Sequence, residues 1–335
     1  MNPKLNRLNR YMKKNKSLLA LLLALVSLVT TFNSFAGTLY PVVVGDRWGF
    51  VDKFGTLAIN PQFERAEVFS GGLAAFRLGG QWGYVDATGK IVINPQFESA
   101  APFSGGLAVV ELGGRYGFAN PDGQYVVNPQ FDAAGTYSEG RAAIKLKRRW
   151  GFIDKSGTVV IQPQFESVSQ FSEGLAAFEL GDRWGFIDLT GKIVINPQFD
   201  KAEAFSGSLA AIKMNRRWGF IDKNGKIVIN PQFEEVRPFV KGVAPVRVGN
   251  RWGFVDVAGK LVVNPQFDGA DAFAQDLARV KLAGRWGFVD KNGSYKINPQ
   301  FDEADSFYEG LSRVKVSRKI GYVDETGRYI WNPTN

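Results

Sequence analysis

One feature constrains this chain more than any other: the same 34-residue pattern recurs along nearly all of it. Trp-Gly stands at Trp48, Trp82, Trp150, Trp184, Trp218, Trp252 and Trp286, always 34 residues or a multiple of 34 apart. Tyr116-Gly117 and Ile320-Gly321 fill the missing steps, which makes nine copies. A glycine follows seven positions later in every copy, from Gly55 to Gly327. Asn-Pro-Gln-Phe recurs from Asn60–Phe63 to Asn298–Phe301, with Gln162 once in place of Asn. A fixed period of this length marks an array of supersecondary units, each too small to bury its own apolar faces, so neighbours must stack.

Within one unit the pattern has the two-residue alternation and turn residues of strands. Leu73–Leu78 reads as a strand and Gly79-Gly80 as a two-residue hairpin loop. Gln81–Asp86 returns as the second strand. Asp86 and Gly89 then bracket a second turn, the acid accepting backbone N–H groups and the glycine supplying a left-handed residue. Lys90–Asn94 is the third strand, stopped by Pro95. The expected unit is therefore a three-stranded antiparallel meander, with units starting near 39, 73, 107, 141, 175, 209, 243, 277 and 311. The connector Gln96–Gly106 is long for a compact domain and leaves room for a helical turn or a short extra strand. Gly after each Trp admits close backbone approach. The Trp column is expected in the seam between units, as core.

Two architectures satisfy such stacking: an open β-solenoid or superhelix, and a closed propeller-like toroid. Propellers usually have four to eight blades of four strands. Nine units of three strands, with no strand evidently donated between the termini, point to the open form. The fold class expected is thus all-β, a tandem array of nine meanders over residues 38–335.

The pattern Trp-Gly-Phe-[Val/Ile]-Asp, then Gly-Lys, then Asn-Pro-Gln-Phe, resembles the WG-repeat (KWG-repeat) family of bacterial proteins over all of Thr38–Asn335. The resemblance implies a β-rich repeat and frequent export. It supplies no catalytic motif to carry over.

Residues 1–36 stand apart. Met1–Lys16 carries six basic residues and no acid, Leu18–Val29 is apolar save Ser27, and Ser34-Phe35-Ala36 sets small residues at the −3 and −1 positions. These are the three parts of a secretory signal peptide. The apolar run is short for a membrane span of about 20 residues. Cleavage near Ala36 and a periplasmic or extracellular mature chain without a membrane span are expected. The formal charge of +9 falls to +3 once those six cations are removed, which gives little support for a nucleic-acid partner.

The chain has no Cys and no His. Thiolate chemistry, His-dependent triads and the commonest metal ligand are thereby excluded. No cofactor is expected. The acids mostly recur in columns, whereas a glycosidase needs a unique carboxylate pair. Asp52, Asp86, Asp154, Asp188, Asp222, Asp256, Asp290 and Asp324, with Asn120 in the third unit, read as turn caps rather than calcium ligands.

Departures from the consensus point to candidate contact residues. The third unit is the least regular, with Tyr116 for Trp and Ala119-Asn120-Pro121 at its second turn. Beyond it, Arg141, Lys145, Lys147, Arg148 and Arg149 form a basic stretch, and Arg216-Arg217 repeats the theme. Tyr137 and Tyr308, in connectors, are the aromatics best placed for a glycan. Strand-one charges Arg77, Glu111, Lys145, Glu179, Lys213, Arg247, Lys281 and Lys315 alternate in sign and then turn wholly positive, as a solvated edge or a basic stripe would. The function expected is a non-catalytic scaffold binding an envelope protein; a carbohydrate- or peptidoglycan-binding module engaging wall glycan is the alternative.

Overall fold

The computed structural model describes residues 38–334, and the leader expected over 1–36 lies outside them. The alternating residues form strands as the repeat requires. In the first unit β1 (Tyr40–Val44), β2 (Arg47–Val51) and β3 (Leu57–Phe63) make an antiparallel sheet. The second adds a strand: β4 (Arg65–Ser70) precedes β5 (Leu73–Leu78), β6 (Gln81–Asp86) and β7 (Ile91–Phe97) in one four-stranded sheet. Six further sheets repeat this order, and a ninth ends in the strand Tyr329–Thr334.

The extra strand comes from the connector. Ser99 and Ala100 pair with Glu111 and Val110, and the same two-residue strand recurs in each later sheet. It is too short to show a period, which is why the three-stranded reading missed it. Among the described residues the first sheet has three strands and the other eight have four.

The second correction concerns closure. Each sheet has two apolar faces, so each seam between neighbours holds one core cluster. Leu209, Ala211, Phe220 and Ile229 of the sixth sheet, for example, meet Val236, Ala244, Val246 and Val255 of the seventh. An open array of nine sheets would have eight such seams. The molecule has a ninth, in which Leu311 and Tyr322 of the last sheet pack on Tyr40, Val42 and Val51 of the first. Tyr322 Oη donates to the carbonyl of Pro41 at 2.8 Å, and Tyr40 Oη to that of Glu309 at 2.7 Å. The second-turn glycines repeat the message. A Cβ at Gly89 would touch Ile59 of the preceding sheet, and one at Gly55 would collide with the carbonyl oxygen of Ile330, near the other end of the chain. The fold is therefore a nine-bladed β-propeller, not an open superhelix.

Blades that radiate from an axis pack tightly near it and diverge outward. The mostly buried strands such as β5 accordingly lie inward of the half-exposed strands such as β7. Gly83 shows why glycine follows Trp. A Cβ there would overlap the carbonyl oxygen of Ile93 and crowd the nitrogen of Pro95, where the Asn-Pro step bulges over the second strand. The close approach expected between units is thus made within a blade.

Candidate binding site at the blade seams

Most polar columns are consumed by the scaffold. The Asp column caps the second turn: Asp86 Oδ1 accepts the amides of Thr88 and Lys90 at 2.9 and 3.0 Å, and Asn120 serves the same turn in the irregular third unit. The Thr190 hydroxyl and nearby amides hold Asp188 below its usual carboxylate range. Among the described residues no group of His, Cys, Asp or Glu could hold a metal ion.

The acid after each Asn-Pro-Gln-Phe reaches into the next blade. Glu98 accepts the amides of Gly113 and Gly114, both at 3.0 Å, and Asp132 accepts the Lys147 amide at 2.8 Å. The same acids pair with arginine of the blade before. Arg149 meets Glu166 at 2.9 Å, and Arg217, Arg251 and Arg285 pair with Glu234, Asp268 and Asp302. A repeated arginine–acid–hairpin staple thus links neighbouring blades on one face of the ring.

This divides the basic residues singled out in the sequence between staples and hairpin tips. Arg149 and Arg217 belong to staples. Lys147 and Arg148 form a hairpin tip at φ of 48° and 71°, as do Asn215 and Arg216 two blades on, at 50° and 68°. Arg141 lies at the far end of the strand Ala142–Leu146, where it donates to the carbonyl of Leu189 at 3.2 Å. About 20 Å of extended chain separates it from the hairpin, at about 3.3 Å per residue. Tyr137 is buried, not surface-exposed: its ring meets Phe118 edge-on at 5.0 Å and its hydroxyl donates to the carbonyl of Asp154. Burial, with the nearby Asp154 charge, pushes its pKa up to about 12. Tyr308 is exposed, as expected.

The tryptophans are the more informative column. They were expected as core, and they do pack against the seam clusters; Trp252 is fully buried, and the others keep a partly exposed edge at the margin of their seam. Strand-one cations lie over several of them. Lys145 Nζ is 5.5 Å from the Trp150 ring centre, and Lys213 and Lys281 are each 5.7 Å from Trp218 and Trp286. The uniform positive run in that column is therefore partly explained by aromatic partners, since a cation over an indole face is attracted by its quadrupole.

Above Trp218 the seam between the sixth and seventh blades opens into a cavity of about 250 Å³. Its floor is Trp218, Ala211 and Phe220, and its rim carries Glu203, Glu235 and Arg237. Glu235 pairs with Arg247 at 2.6 Å and Arg237 with Asp271 at 3.4 Å. Glu203 is exposed, and its carboxylate has no ion-pair partner among the described residues. This site is not legible in the residues alone, because its rim comes from two connectors that the period does not resolve. An apolar floor with a few convergent polar groups is the usual form of a binding pocket.

The comparisons agree with this architecture. A crystal structure of a eukaryotic initiation factor superposes with a TM-score of 0.60 at 13% identity, covering 88% of this chain and 95% of that one. BamB from Moraxella catarrhalis matches at a TM-score of 0.45 and 12% identity, over 76% of this chain and 92% of its own. At 13% identity the likeness to the initiation factor is one of fold alone. Among curated proteins no sequence match is found. The profile described as "WG containing repeat" matches eight consecutive times, at residues 48–82, 82–116, 116–148, 150–184, 184–218, 218–252, 252–286 and 286–319. Most of those boundaries fall on the tryptophans, with Tyr116 in the place of one, and with these matches the chain belongs to the WG-repeat family.

Proposed function

We propose that the protein is an exported, non-catalytic scaffold that binds another protein in the cell envelope. One observation carries this reading: the charged columns are spent on turn caps and inter-blade staples repeated from blade to blade, while the seam margins present partly exposed tryptophans beside polar rims. A structure built this way offers surface rather than a unique reactive pair, and repeated surfaces serve macromolecular recognition. The basic n-region and apolar run of residues 1–36 support export. The partly exposed indoles also favour a second reading, binding of wall glycan by stacking on sugar rings.

The full-length chain, tagged at its C-terminus and produced in its native host, would be cross-linked, fractionated and recovered from the envelope. Recovery of a protein partner that protease treatment removes is the expected result. A partner that survives protease would select the glycan reading. Recovery only from the cytoplasm would overturn the envelope scaffold.

A further inference from the structure

Two blades along from the open cavity, the molecule fills the equivalent space itself. In the eighth blade the position of Ala211 is taken by Arg279, that of Glu203 by Asp271 and that of Trp218 by Trp286; Val236 corresponds to Ala304. Arg279 lies over the Trp286 ring, its guanidinium carbon 4.8 Å from the centre. Its Nε meets Asp271 Oδ2 at 2.5 Å, and Nη1 donates to the carbonyl of Ala304. Lys281 shares the same indole, so a lysine in the place of Lys213 leaves room for a guanidinium.

In the sixth blade the indole and the acid of that arrangement are present and the arginine is missing; the Val236 carbonyl accepts from Arg237 Nη1 at 3.3 Å and keeps a second lone pair. Trp218, Glu203 and Val236 all line the cavity, and Ala211 leaves it open. The neighbouring seventh blade shows the same taste: Arg237 sits 4.9 Å over Trp252, which it helps to bury. At the rim Arg237 shares Asp271 with Arg279, and Glu235 is paired with Arg247, which leaves Glu203 as the acid without an ion-pair partner among the described residues. We infer that the cavity over Trp218 is a receptor for an arginine side chain of a partner protein, stacked on the indole, paired with Glu203 and donating to the Val236 carbonyl. Arginine is favoured over lysine because a planar guanidinium stacks on an aromatic face and keeps in-plane donors for a carboxylate and a carbonyl. The inference deepens the scaffold reading and rests on it for the identity of the partner as a protein.

The test uses the full chain with ¹⁵N-labelled tryptophan, so that each indole N–H gives one NMR signal, that of Trp218 assigned with Trp218→Phe. N-acetyl-arginine methylamide is titrated, with N-acetyl-lysine methylamide and chitotriose as comparisons. Saturable movement of the Trp218 signal is expected with the arginine probe, at least about tenfold tighter than with lysine. Glu203→Gln, an exposed change that leaves the core intact, should weaken binding about tenfold. Ala211→Arg should abolish it by supplying the internal arginine. Arg279→Ala should open a second site, so that the Trp286 signal now moves as well. A motionless Trp218 signal, undiminished binding to Ala211→Arg, or preference for chitotriose would each overturn the inference. An envelope protein captured equally well by the parent and by Ala211→Arg would sink the arginine site and leave the scaffold standing; probe binding without any captured protein would do the reverse.

Discussion

Eight seams of the ring join consecutive blades, and one joins the last blade to the first. The in-chain seams are alike. A connector Phe or Tyr stands edge-on or tilted against the second-strand aromatic of the blade before, as Phe205 does on Phe186 at 5.0 Å and Phe239 on Phe220 at 4.7 Å. The closing seam has a reciprocal pair of tyrosine bonds, where the seam between the second and third blades has one, from Tyr84 to the Ala101 carbonyl at 2.7 Å. Tyr322 meets Tyr40 at 5.6 Å, and the two hydroxyls reach backbone carbonyls on opposite sides of the junction. Tyr308 reaches past the first blade to the Phe69 carbonyl of the second at 3.4 Å. Closure between distant parts of the chain carries a larger loop entropy than contact between neighbours. Here it is secured by directional tyrosine bonds added to the apolar packing.

Breaking that comparison should give its largest effect in the core. Phe186→Ala in an in-chain seam and Tyr322→Ala in the closing one should each cost about 3–5 kcal/mol, since both truncate a fully or nearly buried aromatic. Denaturant unfolding measures the cost. Equal costs with one transition would show that the ring melts as a unit. A Tyr322→Ala protein with intact sheet signal but a larger radius by X-ray scattering would show that the closing seam opens alone.

Alkali should strain the closing seam next. Burial, with the Glu309 and Tyr308 charges, pushes Tyr40 from the usual 10.0 up to about 12, and burial raises Tyr322 further. Because the folded-state pKa is the higher, this contribution is fully present below pH 10 and is lost as pH rises through about 12. Melting followed alongside tyrosinate absorbance should fall across that window. Tyr137 and Tyr84 in the in-chain seams titrate high as well, so the Tyr137→Phe/Tyr84→Phe chain removes the two in-chain tyrosines that burial raises most. An unchanged melting temperature up to pH 12 in that chain would contradict the assignment.

Tyr322→Phe keeps the ring and removes only its bond to Pro41. The expected cost is about 1 kcal/mol, read as a shift of the unfolding midpoint. Smallest of all is the loss of a staple. Arg149→Ala should change stability by about 0–1 kcal/mol, and by less in high salt, because its pair with Glu166 is solvent-exposed. A larger effect at the Arg149 staple than at Tyr322 would reverse the ranking of surface and seam.

Much of the fold was legible in the residues. Repeat register, strands, both turns and the capping role of Asp86 and its equivalents are local, and local preferences of Gly, Pro, Asp and alternating apolar residues are read directly from the chain. Family membership followed from the same spacing. The binding residues were less legible. Arg149 and Arg217 look like free cations in the sequence and are stapled to Glu166 and Glu234, while Tyr137 looks exposed and is core. Each of these arginines meets the acid 17 residues further on, a spacing that recurs in the sequence, but only the fold shows that the two columns face each other.

The sequence by itself determined the unit: three of its strands, its turn chemistry and a nine-times repeated apolar face that must find neighbours, although the third strand, expected to stop at Pro95, runs on to Phe97. Only the tertiary structure decided that the connectors give each of the later blades a fourth strand and that the last blade meets the first. Those outcomes depend on the small rotation between stacked sheets, which every seam contributes through side-chain shape. A rotation shared by nine seams closes a circle, and no single 34-residue period contains it. The same holds for the cavity over Trp218: Ala211 is an ordinary core alanine until the blade beside it brings Val236 and Arg237 to its rim.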